Sequence, residues 1–179
     1  MRIQTQFLLI NIIGGILVLG GYIFALMSHP TTRNELWGGV PENLRLWITV
    51  FMFVSAFGYC YAMYYLIFDE GLELSFFWGK FDYRIVMILL IVFLLSAASW
   101  IHTAFTYIDT GSKNSWNFVQ LELWLTGISV FLIMLGLATA TGVKSTIFHF
   151  YSVIGLIAIS FHCLVLDAFL WINKFPIKH

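Results

Sequence analysis

Three ionisable side chains stand where hydrocarbon chemistry disfavours them. His102, Glu122 and Asp167 lie inside long runs otherwise almost free of charge. An intramembrane acid is costly unless it is paired or protonated, so each such residue is a candidate for function. His102 lies six residues from the end of its run, Glu122 five from the start of its run and Asp167 five from the end of its own. At ~1.5 Å per residue, all three sit roughly 7–9 Å below one membrane surface. Asp167 comes near a helix C-terminus, where the macrodipole disfavours an anion. The expectation is therefore a protonated acid, or an acid paired with His102 or Arg45. Glu122 lies in the first turns of its helix, where the dipole favours it.

Other chemistries fit less well. Two His on facing helices at equal depth would suit a haem iron, but His149 and His162 are thirteen residues apart on one run and face opposite ways. His162 is also deeper than His102. His102, Glu122 and Asp167 are acceptable metal-ligand types without a ligand spacing. No Walker loop, dinucleotide glycine fingerprint, zincin motif or nucleophile elbow is present. Nothing requires an enzyme, and catalytic residues are not assigned.

The elements that carry these residues follow from composition. Of 179 residues, 60% are hydrophobic and only 10% charged, far below the quarter or so of a soluble domain. Nine acids balance nine bases, so no basic field points to nucleic acid. Five runs are long enough to span ~30 Å of hydrocarbon as helices: Phe7–Ser28, Leu46–Phe68, Ile85–Ile108, Asn117–Ala140 and Ser145–Ile172. The first is read as a retained helix, since a cleaved signal has a shorter core. The expected fold is all-α, a polytopic membrane protein forming one five-helix bundle in a lipid bilayer. Nothing in the sequence specifies which membrane.

Helical periodicity sorts the faces. Asn11, Gly14, Gly15 and Gly21 share one side of the first run, and Ser55, Gly58 and Ala62 one side of the second. Small residues there predict close helix contacts. In the fifth run His149, Ser152, Ser160, Cys163 and Asp167 form an inward face, with His162 opposite beside Tyr151. His162 must then find another helix, a partner chain or a ligand. Trp47, Trp100, Trp116, Trp124 and Trp171 gather at the surface near the three ionisable residues. The segment "WGGVPENLRLW" before the second run reads either as a turn that starts the helix or as a lid over that mouth.

Five helices, seven Trp, a proline loop before the second helix and the stretch "SAFGYCY" resemble the tryptophan-rich sensory protein and translocator protein family. Gly58–Tyr59 is similar to the family's Gly-Tyr pair in helix two. Trp116 in "SWNFVQLELW" is similar to the Trp that opens helix four, and "LDAFLWINKF" to the aromatic and polar end of helix five. Trp47 stands farther from Gly58 than the family's pattern has it, and "SAASW" replaces the family's Asn-containing pattern in helix three. The resemblance implies a pocket for a tetrapyrrole, a sterol or a similar flat apolar molecule, and often a dimer.

The expected function is binding of a small flat hydrophobic ligand, a tetrapyrrole, sterol or lipid, with a transport or sensing role. Trp47, Tyr59, Trp100 and Trp116 would pack on it, and His102, Glu122 and Asp167 would contact its polar edge. Two alternatives remain open at this point. The chain reads as a small integral subunit of a larger membrane complex, met through His162 and "LSFFWGKFDY". It also reads as a lipid-modifying enzyme using the carboxylates and His102. A homodimer or membrane-complex partners accompany the first two readings.

Overall fold

None of the five apolar runs contains a proline, so nothing interrupts the helical hydrogen-bond ladder. The protein was analysed as a computed structural model, which describes residues 2–175. It has five long helices: α1 (Ile3–Ser28), α2 (Glu42–Phe68), α3 (Tyr83–Thr110), α4 (Lys113–Ala138) and α5 (Thr146–Lys174). Each is long and apolar enough to cross a membrane, and the chain is a multi-pass integral membrane protein with an all-α fold.

The helices run past most of the apolar stretches because local chemistry sets their ends. α2 begins right after Pro41, with Glu42 in the first turn where the helix dipole favours an anion. Asp82 caps α3 by accepting the Arg84 backbone N–H at 3.0 Å. Gly111 ends α3 with φ 66°, a left-handed position that suits glycine. Only Ser112 then separates it from α4, so α3 and α4 form a tight antiparallel pair.

The helices pack in the ring order α1–α3–α4–α5–α2, with α1 and α2 meeting only sparsely where the ring closes. The seam between α2 and α5 is the face that small residues mark. Gly58 and Gly155 touch backbone to backbone, and Ser55 Oγ donates to the Ala158 carbonyl at 3.2 Å. The glycines of α1 are more divided than a single face would have them. Gly14 backs onto Leu94 and Gly21 onto His102, while Gly15 has open space before it. α1 rests chiefly on α3, and much of its surface is left to lipid.

At the end formed by the α2–α3 and α4–α5 loops, Glu70 is the clasp. Its Oε1 accepts the backbone N–H of Ser145 at 2.6 Å and of Lys144 at 2.8 Å, and the Tyr65 hydroxyl at 3.1 Å. Burial alone would raise the Glu70 pKa. The two amides, the Tyr65 hydroxyl and the Lys144 charge together outweigh it and hold the carboxyl below its ordinary range. Ser75 and Thr141 exchange backbone hydrogen bonds beside it, and Trp78 N–H donates to the Thr139 carbonyl at 2.9 Å. These contacts hold Phe77 and Trp78 at φ 50° and 57°, a costly conformation for residues other than glycine. The Phe77 ring lies against Gly136, where any side chain would displace it.

Two outcomes follow from this packing. Gly155→Val must push α5 away from α2, and should lower unfolding stability in detergent by about 1–3 kcal/mol; a variant as stable as the parent would mean the seam yields freely. Because the folded Glu70 pKa is depressed, its contribution is complete above the unfolded glutamate pKa of about 4.3 and is lost as pH falls below it. Glu70→Gln should therefore be less stable than the parent at pH 7, and the difference should shrink as the pH is lowered through 4.

Candidate functional site: a polar cluster beneath an aromatic cap

The opposite end of the bundle, where α3 and α5 finish and α2 and α4 begin, carries a packed group of aromatic rings. Trp171 and Phe175 stand 4.4 Å apart between centroids, Tyr107 and Trp116 5.0 Å, and Trp116 and Phe175 5.4 Å. Trp100 meets Trp171 edge-on at 5.7 Å. Rings at these separations attract beyond their buried area. Trp116, Trp171 and Tyr107 are buried.

The loop between α1 and α2 closes over this group. A short 3-10 turn, Arg33–Trp37, leads to Gly38, whose φ of 51° turns the chain back. Two hydrogen bonds fix the loop to α5. Trp171 Nε1 donates to the Leu36 carbonyl at 2.6 Å, and Gly39 N–H donates to the Lys174 carbonyl at 3.0 Å. Gly39 lies so close to Lys174 that a side chain there could not fit. Trp37 packs against the aromatic cluster and also lies under Arg45, whose guanidinium is 5.7 Å from its ring. Arg45 Nε donates to the Val40 carbonyl at 3.1 Å. "WGGVPENLRLW" thus starts α2 and docks on the end of α5.

Beneath the cap lies the polar chemistry. α5 is α-helical from Thr146 to Phe161, then π-helical over His162–Trp171. In an α-helix, residues five apart diverge by ~140° around the axis. The wider π turn returns position i+5 to the face of position i. His162 Nε2 accordingly sits 3.6 Å from Asp167 Oδ2, within ion-pair range but longer than a hydrogen bond. This corrects the expectation that His162 faces away and that Asp167 pairs with His102 or Arg45. A constant period of 3.6 put the two on different faces, and the local change of period joins them.

His162 is buried, its Nδ1 has no partner among the described residues, and Phe51 of α2 lies 6.0 Å from its ring. Asp167 is partly buried and has Tyr22 of α1 and Cys163 as electrostatic neighbours. Tyr22 in turn accepts a 2.7 Å hydrogen bond from Trp100 Nε1. Tyr22, Trp100, His162, Cys163 and Asp167 therefore form one cluster contributed by α1, α3 and α5. Tyr22 and His162 are members that composition and face arithmetic did not select. Tyr22 carries no signal that separates it from other tyrosines of the chain.

The remaining expected residues disperse. Tyr59 donates to Asn11 Oδ1 at 2.5 Å and packs on Phe93 near mid-bundle. Trp47 is 70% exposed on the outside of α2, lining a shallow apolar groove with Phe51, Phe161 and Leu170. Glu122 accepts from Thr103 Oγ1 at 3.2 Å on the α3–α4 side, and its second oxygen is buried without a hydrogen-bond partner among the described residues. His102 is exposed on α3 beside Gly21. Of the seven expected ligand contacts, Trp100, Trp116 and Asp167 are brought to one place. Among the described residues, no group of three or more His, Cys, Asp or Glu is placed to hold a metal ion. Comparison with protein-family models, curated proteins and solved structures returns no match.

His162 and Asp167 bear on each other in a medium that penalises either one alone. Asp167→Leu or His162→Leu should each cost about 1–3 kcal/mol of stability. The double variant should cost less than the sum of the two, as a double-mutant cycle by thermal unfolding would read. Additive losses would mean the two side chains do not interact.

Proposed function

We propose that this chain is a non-enzymatic membrane binding protein for a flat apolar molecule of tetrapyrrole or sterol type. The ligand enters beneath the α1–α2 loop and packs among the aromatic rings at that end of the bundle. The observation that carries this reading is the stack of cover, rings and polar cluster. A cover fixed by two hydrogen bonds lies on Trp116, Trp171 and Tyr107, and Tyr22, His162 and Asp167 lie directly below. Flat rings between indoles gain stacking energy, and a few convergent polar groups under an apolar surface fix orientation. His162 Nδ1, without a hydrogen-bond partner among the described residues, supplies a hydrogen-bonding position for the ligand's polar edge.

Trp100, Trp116 and Asp167 form the ligand contacts in this reading, joined by Trp171, Tyr22 and His162. Trp47 serves as an interfacial anchor facing lipid. The likeness of Gly58–Tyr59, Trp116 and "LDAFLWINKF" to the translocator protein family supports the same ligand class and a transport or sensing role. Binding requires the cover to lift, since the rings below it are already in mutual contact.

Titration of protoporphyrin into the protein in nanodiscs, read by tryptophan fluorescence, tests the proposal. Saturable quenching is expected, and it should weaken in Trp171→Phe. Gly39→Val displaces the cover from Lys174 and should speed association, because the competent open state is then more populated. Non-saturable quenching, or quenching that neither variant alters, would remove the reading.

A further inference from the structure

α1 and α3 run parallel, and both begin at the Glu70 end of the bundle. Phe7 meets Tyr83 edge-on at 6.4 Å, Gly14 backs onto Leu94, and Gly21 reaches Ala98 and His102. A side chain at Gly14 would collide with Leu94, so α1 lies directly on α3 there. Outside this contact the two helices leave an open groove of about 470 Å³ between them, a size within the ~300–1,000 Å³ of small-molecule sites. Buried Gly14 and Leu94, with partly buried Ile10 and Met87, form its floor. Ile13 and Leu17 of α1 and Ile91 and Leu95 of α3 rise as exposed walls.

The groove is polar at one end only. Apart from Gln6 its lining is apolar. Arg84, Met87, Ile91 and Leu95 fall at i, i+3, i+7 and i+11, one helical stripe, so exposed Arg84 heads the α3 wall. Exposed Arg2 stands one turn before Gln6 at the head of α1, and its carbonyl accepts the Gln6 backbone N–H at 3.2 Å. Asp82 is the acid at this mouth. One of its oxygens caps the Arg84 backbone N–H, and the other lies 3.6 Å from Arg84 Nε. Two guanidinium groups thus stand against one carboxylate. Depth fits the same pattern. Gln6 to Leu17 and Arg84 to Leu95 are each eleven residues, about 16 Å of helical rise. That is close to half of the ~30 Å hydrocarbon core. The groove spans one leaflet, cationic at the headgroup level and apolar towards the midplane.

We propose that the α1–α3 groove is a binding site for one anionic phospholipid of the adjoining leaflet. One acyl chain lies between the walls, and the phosphodiester rests on Arg84, Arg2 and the Gln6 amide. A single helix face offers a lipid chain one wall, whereas this groove offers two walls and a floor. Charge selects the headgroup. A phosphatidylcholine would bring its own cation beside two arginines, while phosphatidylglycerol brings only the anion they attract. The site lies at the end of the bundle away from the aromatic cap, and it stands or falls apart from ligand binding there.

The test uses the full chain in phosphatidylcholine vesicles with a trace of phosphatidylglycerol that carries a photoreactive diazirine midway along one acyl chain. After illumination, peptide mass spectrometry should find the label on Ile13–Leu17 and Ile91–Leu95. Unlabelled phosphatidylglycerol should compete the label away, and the same amount of added phosphatidylcholine should not. Arg84→Gln should cut groove labelling about fivefold, the effect of one basic residue on an anionic lipid, and Arg84→Lys should keep most of it. Ile13→Trp should fill the groove and abolish its labelling, while labelling of the exposed α2 surface around Phe57 stays unchanged. Label spread evenly over the lipid-facing helices, equal competition by the two lipids, or groove labelling unchanged in Arg84→Gln would each overturn the proposal. A groove without label, filled by a helix of another chain or by a sterol, would overturn it as well.

Discussion

Hydrocarbon offers no hydrogen bonds, so each polar group carried into the bundle must find its partner within protein. That constraint organises the structure from end to end. Tyr59 meets Asn11, Thr126 meets Ser96, and Ser55 meets a carbonyl of α5, each joining two helices. The helices need these links because lipid is as apolar as their side chains and burial alone draws them together weakly. Where small residues let backbones touch, as at Gly58 and Gly155, dispersion takes over the same task.

The two ends of the bundle meet the constraint differently. At one end a single carboxylate, Glu70, accepts three hydrogen bonds and ties the α2–α3 loop to the start of α5. At the other the ties are fewer, two hydrogen bonds from the α1–α2 loop to α5, and the material beneath is aromatic. Rings slide and part at less cost than a buried carboxylate loses its donors. The end with the lighter closure is also the end that holds the His162–Asp167 pair.

The sequence reveals some of this and conceals the rest for physical reasons. The five spans are legible because apolar runs of that length have one stable form in a bilayer. The α2–α5 seam is legible because Ser55, Gly58 and Ala62 share a face and stand out among bulky neighbours. Glu122 and Asp167 announce themselves by their cost. The His162–Asp167 pairing is hidden, because it depends on a π segment that no residue in "HCLVLDAFLW" signals. Trp47 was equally opaque. α2 is apolar on every side, so hydrophobicity could not tell its lipid-facing surface from its packed one, and Trp47 turns outward. The α1–α2 loop showed its glycines and proline, while its docking on α5 depends on tertiary contacts with Trp171 and Lys174.

The central claim is that the aromatic end exists to hold a flat apolar molecule, and the most direct measurement is native mass spectrometry of the protein released from detergent. The expected result is one planar, non-phospholipid molecule retained per chain by the parent and absent from Trp171→Ala protein that still folds. Retention of phospholipid alone, or of the same molecule by both proteins, would contradict the account.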